Sequence, residues 1–139
     1  MDSLFYQVND KVALKPDAAI TESTAGSALD RLDPACEDIK LVINCGTISA
    51  GTFTVKLTEC DTANGTYTDV DVSTVLSESG TGTETFTSTT DDVVKVLAIK
   101  PGVSTKRFLK PYITVSGTSP SGYIAATWQT GKHRVAPIR

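Results

Sequence analysis

After position 92 the 139-residue chain has no aspartate or glutamate, although it carries 16 acidic residues in all. Over those last 47 positions it has eight basic ones: Lys95, Lys100, Lys106, Arg107, Lys110, Lys132, Arg134 and Arg139. The first 92 positions hold every acidic residue and only five basic ones, so a net charge of −3 conceals a strongly acidic front and a basic back. Such asymmetry has two readings. Either the chain meets another macromolecule, or its halves fold against each other and cancel. Because β-folds interleave distant strands, substantial internal cancellation is expected.

Other absences narrow the function. No apolar run approaches the ~18 residues a membrane-spanning helix needs. The start, MDSLFYQVNDK, has neither a cationic region nor an apolar stretch, so it does not read as a secretory signal. Three cysteines, Cys36, Cys45 and Cys60, cannot all pair within one chain, and with His133 the sole histidine they match no zinc spacing. Reduced thiols formed in a cytosol are expected, with a Cys36–Cys45 or Cys45–Cys60 bridge left open. His133 lies between Lys132 and Arg134, whose charges disfavour its protonation. There is no Gly-x-Ser-x-Gly elbow and no phosphate-cradling glycine loop. Cys60, flanked by Glu59 and Asp61, is expected to have a raised pKa and low reactivity. Asp61, Asn64, Asp69 and Asp71 crowd around a glycine but lack calcium-loop spacing and its terminal glutamate. The Asn64-Gly65-Thr66 triplet fits a glycosylation acceptor but reads as a turn. The chain is therefore not read as an enzyme, and no cofactor or metal is expected.

What is present favours strands. One domain of this length buries a real core, and Ser and Thr make up roughly a quarter of the residues, suiting strands and turns. Residues 1–35 read as an extended arm with a few edge pairings. Within it, Ser27 to Leu32 could form a helical turn or two before Pro34. The period then becomes two. Ile39, Leu41, Ile43 and Cys45 share one side, as do Phe53, Val55 and Leu57. Gly46 to Gly51 predicts a hairpin loop between those strands, and Asn64-Gly65 a second turn. Further on, a short turn or helix is expected near Ser73 to Leu76, with strands near Glu84 to Ser88 and over Val93 to Ile99, the last closed by Pro101-Gly102. Another strand is expected over Arg107 to Ser116, with an edge or bulge at Pro111. Gly117 to Gly122 reads as a turn before a last strand, in which Ile124, Ala126 and Trp128 face inward. The whole predicts an all-β antiparallel sandwich or barrel-like single domain: an arm over 1–35, a core over 36–130 and a basic tail over 131–139.

On the strand after Arg107, the residues Phe108, Lys110 and Tyr112 fall on one face. That face could stack bases or anchor a subunit contact. The acidic total and the missing oligonucleotide-binding signature disfavour nucleic acid. Carbohydrate is disfavoured too, because the only tryptophan, Trp128, lies on the apolar face.

Four runs carry a family resemblance: Phe53 to Asp61 (FTVKLTECD), Gly65 to Val70 (GTYTDV), Lys106 to Gly117 (KRFLKPYITVSG) and Gly122 to Ala126 (GYIAA). Together, over about residues 39–130, they resemble small virion structural proteins of tailed bacteriophages. The resemblance implies a protein that decorates and cements a capsid by bridging major capsid protein subunits, on the exterior of a virion assembled in a bacterial cytoplasm. It also implies a homo-oligomer, trimer favoured over dimer, with no membrane partner. A head–tail connector, another minor virion component and a non-viral β-sandwich binding module are the alternatives. On this reading Leu4, Phe5, Tyr6, Val12 and Leu14 of the arm bury themselves on a neighbouring subunit. Lys106, Arg107, Phe108, Lys110, Tyr112, Lys132 and Arg134 meet acidic capsid surface.

Overall fold

Two strands, each about 25 residues long, organise the molecule. In the computed structural model, which describes residues 9–31, 36–100 and 105–133, the strands are β1 (Asn9–Leu14), β2 (Thr24–Ala25), β3 (Leu29–Asp30), β4 (Cys36–Cys60), β5 (Thr68–Asp69), β6 (Val75–Ser77), β7 (Glu84–Phe86), β8 (Val93–Ile99) and β9 (Phe108–His133). They form one open antiparallel sheet in the order β1-β9-β4-β8-β6, while β2 and β3 pair with β9, and β5 and β7 with β4. The fold is all-β and sandwich-like.

The long antiparallel pair β4–β9 bends sharply in its middle. Its register breaks between Cys45 and Thr52, where Ala50 pairs with Ser121 but Thr52 already pairs with Ser116. Residues 117–120 therefore stand out from the ladder opposite Gly51, a multi-residue bulge of the kind that turns strands at sandwich corners. Asp91 holds the corner by accepting the Ile48 N–H at 2.8 Å, and the Asp92 N–H donates to the Gly46 carbonyl at 3.2 Å. Both predicted reversals are thereby corrected. Gly46 to Gly51 is no hairpin loop, and Gly117 to Gly122 lies within one continuous strand. Glycine-rich segments signal turns locally, but here the chain bends and goes on.

The bend makes two half-sheets. Cys36 to Cys45 pairs with Ile124 to His133, and Thr52 to Cys60 with Phe108 to Ser116. Their inner faces enclose one core. Ile39, Leu41, Ile43, Cys45, Leu97, Ile124, Ala126 and Trp128 come from the first, and Phe53, Val55, Leu57, Phe86, Leu109 and Ile113 from the second. Every inward assignment of the period-two reading holds except Val115, which is only partly buried. Glu84 is the one buried carboxylate of that core face, and its Oε2 accepts the N–H groups of Glu78 and Ser79 at 2.8 and 3.2 Å. Those bonds compensate its burial.

Residues 9–31 lie along β9: β1 pairs with Asn9–Leu14 opposite 126–130, and Ile20 bridges to Gly122. The expected helical turn near Ser27 is corrected, since Leu29–Asp30 is a short strand against Leu109 and Phe108. The expected short helix is one 3₁₀ turn, Val72–Thr74, capped by Asp71, whose carboxylate accepts the Ser73 N–H at 3.0 Å. Pro111 is fully buried. Its carbonyl accepts the Gly26 N–H at 2.8 Å. In an extended residue N and C=O point to the same side, so the missing donor faces the broken β2–β3 edge, and pairing with β4 is undisturbed. The Pro101-Gly102 closure lies outside the described residues.

Candidate interaction surface

The outer side of the second half-sheet gathers the sequence-predicted contact residues. Strand alternation turns Phe108, Lys110 and Tyr112 away from the core, and register sets Cys60, Thr58 and Lys56 opposite them. The Lys56 ammonium lies 2.8 Å from Asp69 Oδ1 and 5.5 Å from the centre of the Tyr112 ring. Lys110 Nζ sits 4.3 Å from the centre of the Tyr67 ring, within cation–π range. Tyr67 is fixed in turn, donating its hydroxyl to the Ala63 carbonyl at 2.9 Å. The Thr58 hydroxyl donates to the Lys110 carbonyl at 2.7 Å, tying the backbone beneath. At the strand's start Arg107 makes a two-pronged pair with Asp30, both contacts 2.9 Å, and its guanidinium lies 5.0 Å from the Phe108 ring.

The back-half cations thus divide. Arg107 and Lys95 are neutralised by the front-half acids Asp30 and Glu78, as internal cancellation predicts. Lys110 is not: among the described residues it has an aromatic ring and no carboxylate in ion-pair range. It is a partly exposed, positioned charge that an anionic group on a partner can take up.

Arg107, Phe108, Lys110 and Tyr112 therefore come together, with Lys106 exposed just before them. Val12 lies elsewhere, exposed on the outer side of the first half-sheet. Leu14 is only 8% exposed and belongs to this chain's own core, so it is not offered to a neighbouring subunit. Leu4, Phe5, Tyr6, Arg134 and the Lys132 side chain lie outside the described residues. Lys56, Tyr67 and Asp69 complete the cluster and were missed. Alternation already put Lys56 outward, but its place opposite Tyr112 depends on a pairing between strands more than 50 residues apart.

Cys60 departs from expectation. The loop over residues 61–67 covers it, and the Thr62 backbone N–H, followed by the Thr62 hydroxyl and the Asp61 backbone, lowers its thiol pKa against the smaller opposing push of the Asp61 charge. Cys45 is the opposite case: burial raises it to about 11, aided by Asp91 and Asp92. Both are free thiols, so neither belongs to a Cys45–Cys60 bridge. At pH 8 only roughly one Cys45 thiol in a thousand is ionised, so iodoacetamide is expected to label Cys60 well before Cys45 in the folded protein. Mass spectrometry of the two tryptic peptides over time checks the order.

Comparison with known proteins finds no family model that matches the chain and no similar curated protein.

Proposed function

We propose that this chain is a virion structural protein that binds and stabilises a bacteriophage capsid from outside. The observation that carries the reading is the outward cluster of Lys110, Tyr67, Lys56 and Tyr112, built on the stiffest part of the sheet and fixed by bonds from beneath. Aromatic rings and a preset cation are what protein interfaces use as anchors, and a pre-ordered surface loses little entropy on docking. The phage-like runs support the same reading, because three of them, Phe53 to Asp61, Gly65 to Val70 and Lys106 to Gly117, supply this cluster and the turn that covers Cys60. Many weak copies of such a contact on a symmetric shell add through avidity.

Expanded capsids lacking the protein provide the test. The purified chain is expected to co-sediment with them, to raise their thermal resistance and to release as salt rises. Lys110→Glu, a change at a partly exposed site, is expected to weaken loading about tenfold while leaving the fold intact. Loading that ignores both salt and Lys110→Glu rejects this surface as the contact. Occupancy of a single vertex in electron micrographs would instead identify a head–tail joining component.

A further inference from the structure

The outer side of the first half-sheet has a different chemistry. Val12, Val94, Leu76 and Tyr123 are 54%, 55%, 48% and 51% exposed, and all four point away from the core, as do the half-buried Val42 and Val96. Register aligns Val12, Thr127, Val42 and Val96 in one row across β1, β9, β4 and β8. Contiguous apolar side chains on a flat sheet mark an interaction surface, and β-branched side chains at this density suit packing against a second sheet.

Charge on this side is confined to one end. Asp10 stands on β1 and Lys100 directly follows β8, with Asp38 and Lys40 between them on β4. Acid and base are equal in number, and they are separated sideways: an acid marks the β1 flank and a lysine the β8 flank. A uniformly acidic or basic partner would leave one flank facing its own sign.

We propose that this surface is covered by a second copy of the chain, related by a two-fold axis parallel to the strands and midway between β9 and β4. Such an axis exchanges β1 with β8 and β9 with β4 while each row keeps its height along the strands. Val12 of one copy then packs over Val96 of the other, and Thr127 over Val42. Asp10 of one copy comes to the Lys100 flank of the other, twice over by symmetry, which is the reciprocal contact of an isologous dimer. The pairing is two-fold, in place of the trimer that the phage resemblance implies. It leaves the Lys110 surface, on the other half-sheet, free for a different partner.

Sedimentation of the full chain over a concentration series tests this. A dimer is expected, and Val94→Lys is expected to shift it to monomer while its circular dichroism stays that of the parent. Asp10→Lys and Lys100→Asp should each raise the dimer dissociation constant about tenfold, and the double variant should return it to within about threefold of the parent. Compensation requires that the two residues meet across copies, so it supports the axis specifically. A monomer at every concentration, as would follow if residues 1–8 of the same chain cover the surface, overturns the proposal. So does a trimer, a dimer indifferent to Val94→Lys, or charge reversals whose effects add. Lys110→Glu is expected to leave the dimer constant unchanged, so loss of capsid loading and loss of self-association register in separate measurements.

Discussion

Gly51→Ala is expected to lower the unfolding free energy by roughly 2–5 kcal/mol, from backbone strain and steric conflict together. Gly51 has φ +94°, a region that L-residues rarely adopt. A Cβ there would also lie 2.5 Å from Pro120 Cβ, 2.9 Å from the Ser116 carbonyl oxygen and 3.0 Å from Pro120 Cα. Two of those three atoms are backbone and cannot rotate aside. Across the bend Gly117, at φ +111°, would place its own Cβ 3.0 Å from Gly51 Cα, so the two glycines let both strands turn the corner at close approach. Gly80 supplies the control. Its φ is +77°, yet nothing lies within 4 Å of a Cβ built on it. Gly80→Ala should therefore cost only about 1–2 kcal/mol, the strain alone. Urea denaturation followed by circular dichroism gives both values. If Gly51→Ala costs no more than Gly80→Ala, close approach at the corner is not what shapes the bend. Against a typical total of about 5–15 kcal/mol, the Gly51 effect is a large fraction of the stability.

The same corner shows where the sequence stops being legible. Alternation located the strands and their inward residues from Ile39 to Cys45, Phe53 to Leu57 and Ile124 to Trp128, because burial on one face imposes a period of two that a short window displays. It could not tell a reversal from a bend. Gly46, Gly51, Gly117 and Gly122 produce the same local signal in either case, and only the choice of partner decides. That choice is non-local: β4 pairs with β9 at separations that shrink from 97 residues (Cys36 with His133) to 48 (Cys60 with Phe108). The candidate surface divides in the same way. The common face of Phe108, Lys110 and Tyr112 is a property of one strand and was readable. Tyr67 beneath Lys110 and Asp69 beside Lys56 arrive from the β4–β5 turn, and no spacing in the sequence announces them. Leu14 misled for a related reason. An apolar residue in an irregular, Pro-containing region reads as unclaimed until the strand that shelters it is known.

Trp128→Ala is expected to be at least as damaging as the corner substitution, at about 3–5 kcal/mol for the cavity alone. Trp128 is the only tryptophan and is wholly buried, opposite Leu41 on one side and Lys11 on the other. Its indole N–H donates to the Ser27 carbonyl at 3.1 Å, and Lys11 Nζ donates to the neighbouring Ala28 carbonyl at 3.1 Å. The segment between β2 and β3 is thus tied to the core through the tryptophan and to β1 through the lysine. Removing the indole opens the core and frees that segment at once. Trp128→Phe separates the two effects, since it keeps an aromatic ring in the core but removes the donor. Its stability cost should be the smaller, while amide exchange over residues 24–31 should quicken in both variants. Circular dichroism replaces fluorescence as the unfolding signal, because either change removes the sole indole. Unchanged exchange at residues 24–31 in both variants would show that Ser27 is held by its neighbours and not by Trp128, and that the broken edge facing Pro111 stands without this tie.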